Sequence, residues 1–236
     1  MENGKLYLIP TIISDNTQQV IIPEAVTKVI SDVDYYLVEN VRTARRFISS
    51  LKLDVEIESL RFEVLDKKTS GQSLIALMAP IHDGKDVGVM SESGCPGVAD
   101  PGALAVEYAH KNRIQVVPLV GPSSIIMTLM ASGFNGQSFT FHGYLPIDKA
   151  ERKRRIKKME EDATKLDQTQ IFMDTPYRNG QLFEDLIANC SPSTRLCIAR
   201  DITGQNELIQ TKSINEWKSA KKLGLHKIPV MFALYH

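Results

Sequence analysis

The first 120 residues alternate strand-like and helix-like segments, and that alternation restricts the chain to very few folds. KLYLIP reads as a strand; Ile22, Ala25, Val26, Val29, Ile30 and Val33 then recur at helical spacing, and YYLVE is an apolar run of strand length. VRTARRFISSL is helical again. After a stretch without a clear period, SLIALMAPIH reads as a helix ended by Asp83-Gly84, and DVGVMS as the next strand. A helix at ALAVEYAHKN and a strand at QVVPLV complete the series. Strands that are apolar on both faces, with helices between them, predict a mostly parallel sheet covered on both sides.

From about Gly121 the character changes. SSIIMTLMASG reads as a helix closed by Gly133, SFTFHGYLP alternates like a half-exposed strand, and Lys149 to Asp167 is a strongly charged helix. TQIFMD, RLCIARDI, ELIQTKS and IPVMFALY read as strands, with helices at RNGQLFEDLIANC and INEWKSAKKL. The pair RLCIARDI and ELIQTKS, separated by Thr203-Gly204-Gln205, predicts an antiparallel hairpin. The expectation is therefore two α/β domains, 1–120 with a mostly parallel sheet and 121–236 with a mixed one.

Composition narrows the function classes. With 43% hydrophobic and 24% charged residues the chain is an ordinary soluble globular protein. Lys plus Arg (28) equals Asp plus Glu (28), so a polyanionic partner requires a local basic patch. The longest apolar region, Ile114 to Phe134, is interrupted by Pro118, Gly121 and Pro122, which argues against a membrane span, and MENGKLYLIP does not predict a signal peptide. Cys95, Cys190 and Cys197 are widely spaced without a CxxC, which favours a reducing cytoplasm over a disulfide framework. His82, His110, His142, His226 and His236 are scattered without ligand spacing, so no metal site is expected.

The segment SESGCPGVADPG, Ser91 to Gly102, follows one predicted strand and precedes a helix, the place where open α/β sheets bind ligands. Gly94 and Gly97 permit backbone angles closed to other residues, Pro96 stiffens the turn, and Asp100-Pro101 reads as a helix start with Asp100 as cap and Pro101 in the first turn. A well-capped structural turn is the alternative. There is no GxGxxG and no GxxxxGK[ST], and an acid at the helix start repels phosphate, so the loop suits a ligand with hydroxyl, amine or positive groups. One strand later, VGPSSIIM offers Ser123 and Ser124, which either cap a helix or face a ligand. Cys95 reads as a small packing residue more readily than as a nucleophile, because no histidine is placed to activate it.

These motifs, in this order, resemble the tetrapyrrole methylase superfamily, and within it the bacterial small-subunit ribosomal RNA ribose 2′-O-methyltransferases that act on a cytidine. That branch reads SDAGTP–DPG where this chain has SESGCPGVADPG, VVPxPGPSA where it has VVPLVGPSS, and GFLP where it has GYLP. It reads AEDTR for VENVR, FYESxHR for FMDTPYR and ARELT for ARDIT. PTIISDN stands where the branch has PTPIGNL, and FEVLDKKTSGQ lacks the branch's histidine-rich stretch.

The resemblance implies two α/β domains with S-adenosylmethionine in a cleft between them, in a cytoplasmic homodimer. Pro10, Thr11, Ser93, Gly94, Cys95, Val98, Asp100, Ser123, Ser124, Phe172 and Met173 would border the cofactor. Glu39 is the candidate general base for a ribose hydroxyl, with Arg42 to hold a phosphate or orient the acid; a helix-start salt bridge explains both residues equally well. Tyr177 and Arg178 would stack on and clamp a nucleotide, or else anchor a helix start. Arg152, Arg154, Arg155 and Lys158 form a basic run that fits RNA phosphates or a solvated surface. The expected function is methylation of a ribose 2′-hydroxyl in ribosomal RNA of the small subunit. A tetrapyrrole or other small acceptor, and a lapsed cofactor-binding protein, are the competing readings.

Overall fold

The computed structural model describes residues 3–220 and 223–236. They form two compact units, the first ending at Ser123 and the second beginning at Ser124.

In the first unit, β1 (Leu6–Ile9), β2 (Tyr35–Val38), β3 (Arg61–Val64), β4 (Val87–Met90) and β5 (Val116–Pro118) form one sheet in the order β3-β2-β4-β1-β5. Every pair in it is parallel. Helices α1 (Gln18–Ile21), α2 (Glu24–Asp32), α3 (Val41–Ser50), α4 (Gly71–His82) and α5 (Gly102–Lys111) connect the strands. Period-two alternation sends Ile9, Tyr36, Val38 and Met90 to one face, under Val26 and Ile30 of α2 and Phe47 and Ile48 of α3. It sends Leu6, Leu37, Val87 and Val89 to the other, under Met78 and Ile81 of α4 and Ala105 and Ala109 of α5. Each buried Val, Leu, Ile, Phe or Met side chain among these contributes about 1.5–3 kcal/mol by leaving water. Gly88 sits at the centre because a Cβ there would come within 2.8 Å of both Ile9 and Tyr36.

Two elements of this unit depart from the sequence expectation. β3 falls in the stretch that showed no period: it is an edge strand, and its exposed ends Arg61 and Val64 break the apolar pattern that a central strand shows. Helix α5 starts at Gly102 with Pro101 in the capping position, one residue later than Asp100-Pro101 predicted, yet the Asp100 carboxylate still accepts from the first helical N–H, that of Gly102, while also accepting from Gly97 in the loop.

In the second unit, β6 (Phe139–Tyr144), β7 (Thr169–Met173), β8 (Arg195–Arg200), β9 (Leu208–Ser213) and β10 (Val230–Tyr235) lie in the order β6-β7-β10-β8-β9. β6 and β7 are parallel and the other pairs antiparallel, including the predicted β8–β9 hairpin. Helices α7 (Lys149–Lys165), α8 (Asn179–Asn189) and α9 (Ile214–Ser219) cover one face of Phe172, Leu196, Ile198 and Phe232. Helix α6 (Ser124–Ser132) covers Ile171, Cys197, Ala199 and Met231 on the other. Lys221 and Lys222, at the end of the helix predicted over INEWKSAKKL, lie outside the described residues. Among the described residues no helix is long and apolar enough to cross a membrane.

Candidate active site

All five strands of the first sheet end on the same edge, and three of the loops leaving that edge are tied to one another. After β1, Pro10 and Thr11 are buried; the Thr11 N–H donates to the Gly94 carbonyl (2.9 Å) and its hydroxyl to the Ser91 carbonyl (3.4 Å). After β4, the Cys95 thiol donates to the Pro122 carbonyl (3.3 Å) of the loop after β5. That third loop presses on the first: a Cβ at Gly121 would overlap the Pro10 ring at 2.2 Å. Gly94 (φ +74°) and Gly97 (φ +82°) are in the left-handed region, so the backbone itself demands two of the glycines.

Asp100 organises the Ser91–Gly102 loop. One carboxylate oxygen accepts from both the Gly97 N–H (2.7 Å) and the Gly102 N–H (2.8 Å); the other, Oδ2, is buried and has no partner among the described residues. Burial raises the Asp100 pKa against the lowering pull of those two amides. Asp100 and Glu39 line the same narrow recess, with Val38 and Met90 at the ends of β2 and β4. Burial also raises the Glu39 pKa, reinforced by the negative charges of Asp100 and Glu92 and opposed by Lys67. The recess is too narrow to admit even a water molecule, so within this unit the two carboxyls border a closed crevice and not a formed ligand pocket. Burial, then Asp100, raises the Cys95 pKa, which keeps the thiol protonated and fits packing rather than nucleophilic attack.

The structure therefore brings together Pro10, Thr11, Gly94, Cys95, Asp100 and Glu39. Ser93 and Val98 are exposed on the same loop. Ser123 immediately precedes α6 and Ser124 opens it, its carbonyl accepting from the Thr128 hydroxyl (2.7 Å).

Other predicted residues change role. Phe172 is fully buried, stacked 5.7 Å from Phe232 in the core of the second unit, so its ring is not available to a cofactor; Met173 is half-buried on the opposite face. Arg178 is not a free clamp, because its guanidinium pairs with the buried Asp174 carboxylate and its Nε donates to the Thr175 hydroxyl (3.3 Å). Tyr177, by contrast, is 71% exposed beside His226. Arg152 is the largest correction. It is only 7% exposed, pairs with Asp185 through Nε (2.7 Å) and Nη2 (2.6 Å), and donates to the Pro146 and Ile147 carbonyls, so it holds α7 to α8 and does not face RNA. Lys158 pairs with Asp162 (2.7 Å), Arg154 approaches Glu151 (3.9 Å) and Arg155 donates to His142 (2.7 Å), so acids on α7 offset much of its basic run. Arg42 is exposed and makes no ion pair with Glu39, which removes both the helix-start salt bridge and the orienting role.

Sequence reasoning missed Ser91, Glu92 and Lys67. Ser91 and Glu92 lie inside the quoted loop; the Ser91 hydroxyl donates within it, to the Ser93 and Gly94 carbonyls, whereas the field of Glu92 on Glu39 depends on the β2–β4 adjacency that only the sheet order reveals.

No profile of a known protein family matches the chain. Curated relatives do. The Ribosomal RNA small subunit methyltransferase I of Vibrio cholerae serotype O1 is 29% identical over 214 residues, which cover 89% of this chain and 69% of that protein. The protein of the same name from Escherichia coli O157:H7 is 27% identical over 213 residues, 90% of this chain and 70% of that protein. Among solved structures, the methyltransferase CobJ superposes with a TM-score of 0.62 at 15% identity, covering 99% of this chain and 94% of that one. Uroporphyrin-III-C-methyltransferase from Thermus thermophilus gives 0.55 at 16%, covering 98% and 92%. The chain is a methyltransferase with the fold of the tetrapyrrole methyltransferases, related along most of its length to the ribosomal RNA small subunit methyltransferase I proteins.

Proposed function

We propose that the chain transfers a methyl group from S-adenosylmethionine to a ribose 2′-hydroxyl of small-subunit ribosomal RNA. The observation that carries this reading is Glu39: a carboxyl at a strand end, held above its usual range by burial and two neighbouring acids, at the ligand-binding edge of a parallel sheet. The relatives' name supplies the acceptor class.

The residues fit such a cofactor. The buried, unpartnered Oδ2 of Asp100 calls for a hydrogen-bond donor, and S-adenosylmethionine carries an ammonium, hydroxyls and an exocyclic amine. The glycine turns at Gly94 and Gly97 leave main chain open to close approach. When bound, the cofactor supplies a methyl carbon on a positively charged sulfur, so the leaving group needs no further activation.

The protein's share is alignment and proton removal. Thr11, donating to the Gly94 and Ser91 carbonyls, and Cys95, donating to the Pro122 carbonyl, fix the three loops against one another, which holds reacting groups in register. Glu39, in its ionised form, would take the proton of the acceptor hydroxyl that attacks the methyl group. Its raised pKa makes it a stronger base than an ordinary carboxylate, and Lys67 steadies the ionised state. A homodimer belongs to the same reading and is checked by light scattering.

The deciding experiment incubates the protein with tritiated S-adenosylmethionine and small ribosomal subunits from a strain lacking the corresponding methylase. Label should appear in ribosomal RNA and, after digestion, on ribose. Glu39→Gln should bind cofactor normally and lower kcat by about 100-fold or more. Absence of label in the RNA overturns the reading.

A further inference from the structure

Two helices carry most of the arginines, and they use them differently. Helix α7 interleaves its cations with acids: besides Arg152–Asp185, it forms Arg154–Glu151, Lys157–Glu160, Lys158–Asp162 and Lys165–Glu161. Helix α3, VRTARRFISS, has no acid at all. Its apolar stripe, Ala44, Phe47 and Ile48, is buried in the first unit, and that orientation turns Arg42, Arg45 and Arg46 outward. All three are exposed, and none makes an ion pair with a described acid.

We propose that α3 receives the phosphate backbone of the RNA acceptor through Arg42, Arg45 and Arg46, a proposal that rests on the RNA reading above. Arg42 and Arg46 are four residues apart and Arg42 and Arg45 three, so one helical turn of about 5.4 Å separates them along the same side. That spacing lets neighbouring phosphates each meet a guanidinium, a planar donor that matches phosphate oxygens two at a time. Arg45 lies 5.4 Å from the Phe62 ring centroid, which holds its cation against the protein surface instead of free in solvent. Lys67 and Lys68, exposed after β3, extend the positive field toward Glu39.

The surroundings define the limits of this face. Glu56 and Glu58 are exposed on or beside the short turn Ile57–Ser59 that packs against α3, and they bound the patch on that side without pairing with its arginines. Arg61 does not belong to it: Arg61 pairs with Glu63 and lies over Tyr35, on the sheet face away from α3. At the helix start, Asn40 caps the N–H groups of Arg42 and Thr43 (3.0 and 3.2 Å), so the first turn is rigid where the candidate base, three residues before Arg42, precedes it. A strand held at Arg42 by its phosphate is thereby delivered next to Glu39. The neutral net charge of the whole chain conceals this, because the compensating acids lie elsewhere.

The test compares two triple variants for binding to transcribed small-subunit ribosomal RNA across a salt series: Arg42→Gln with Arg45→Gln and Arg46→Gln on α3, and Arg154→Gln with Arg155→Gln and Lys158→Gln on α7. The α3 variant should lose about 100-fold in affinity at about 0.1 M salt, and its log–log salt slope should flatten by about two, as expected for three single-strand phosphate contacts. The α7 variant should bind like the parent. Lysines at the three α3 positions should restore most of the slope, which separates lost charge from misfolding, and circular dichroism checks the fold. An α3 variant that binds RNA like the parent at every salt concentration, while the parent still methylates RNA, overturns the proposal and leaves the RNA reading standing. A parent that neither binds nor methylates RNA overturns both.

Discussion

At the carboxyl-terminal edge of the first sheet, Glu39 and Asp100 share a recess with no cation paired to either among the described residues, and both carboxyls are held above their usual range by burial. In the second unit the two buried carboxylates among the described residues have cations: Asp174 takes Arg178, and Asp185 takes Arg152. The same chemical groups thus do opposite work. A buried acid that meets its own cation at close range fixes two elements and is finished; an acid left without one costs stability and remains available to a substrate. Charge alone therefore says little about function, and the state of its pairing says a good deal.

The most disruptive way to break the comparison is to unpair the structural side. Arg152→Met leaves the Asp185 carboxylate buried without a cation, with only the Gln181 amide donating to it (3.2 Å), and should cost about 3–5 kcal/mol in urea unfolding of the second unit. The single tryptophan, Trp217, is buried in that unit with its indole N–H donating to the Leu196 carbonyl (2.9 Å), so its fluorescence reads the transition. Adding Asp185→Leu should recover most of the loss, and a double variant as unstable as the single would contradict the pairing argument.

The next effect is on the first unit. Gly94→Val forces a branched side chain into φ +74° with its Cβ 3.3 Å from the Pro122 carbonyl. It should cost about 1–3 kcal/mol in stability and abolish S-adenosylmethionine binding by calorimetry. Normal binding by the folded variant would remove this loop from the cofactor site.

The smallest effect sharpens the comparison through pH. Asp100→Asn keeps an oxygen for the Gly97 and Gly102 amides and removes one negative charge beside Glu39. A carboxyl whose pKa rises on folding holds its proton more tightly in the folded chain. Stability therefore falls as pH climbs from the ordinary carboxylate range through the raised one. The variant should show a shallower fall as pH climbs above the ordinary carboxylate range, and the acid limb of its kcat/KM profile should move to lower pH. An unmoved limb would show that Asp100 does not act on the base.

The alternation of strands and helices was legible because burial on both faces forces long apolar runs, as YYLV in β2 and VGVM in β4 show. β3 was hidden because an edge strand with charged Arg61 and Glu63 has no such run. The loop Ser91–Gly102 was visible through its glycines and prolines, yet the ties from Thr11 and Cys95 were not, since they join residues far apart in the chain. Arg152 was read as surface because charge-rich helices usually are. Its position relative to Ile156, Met159 and Ala163, at helical spacing on one stripe, was the available signal that it faces inward.

The bonds that join the loops after β1, β4 and β5 run between residues of this chain alone and belong to the fold of the first unit. Ordering a mobile backbone costs about 1–2 kcal/mol for each residue fixed, so closing a free loop as long as Ser91–Gly102 around a ligand would cost on the order of 10 kcal/mol. Here that entropy is lost during folding, and binding proceeds on a surface already shaped. Affinity and stability are consequently linked in this unit: a substitution that frees the loops weakens the fold modestly and the ligand strongly, while one that stiffens them strengthens both.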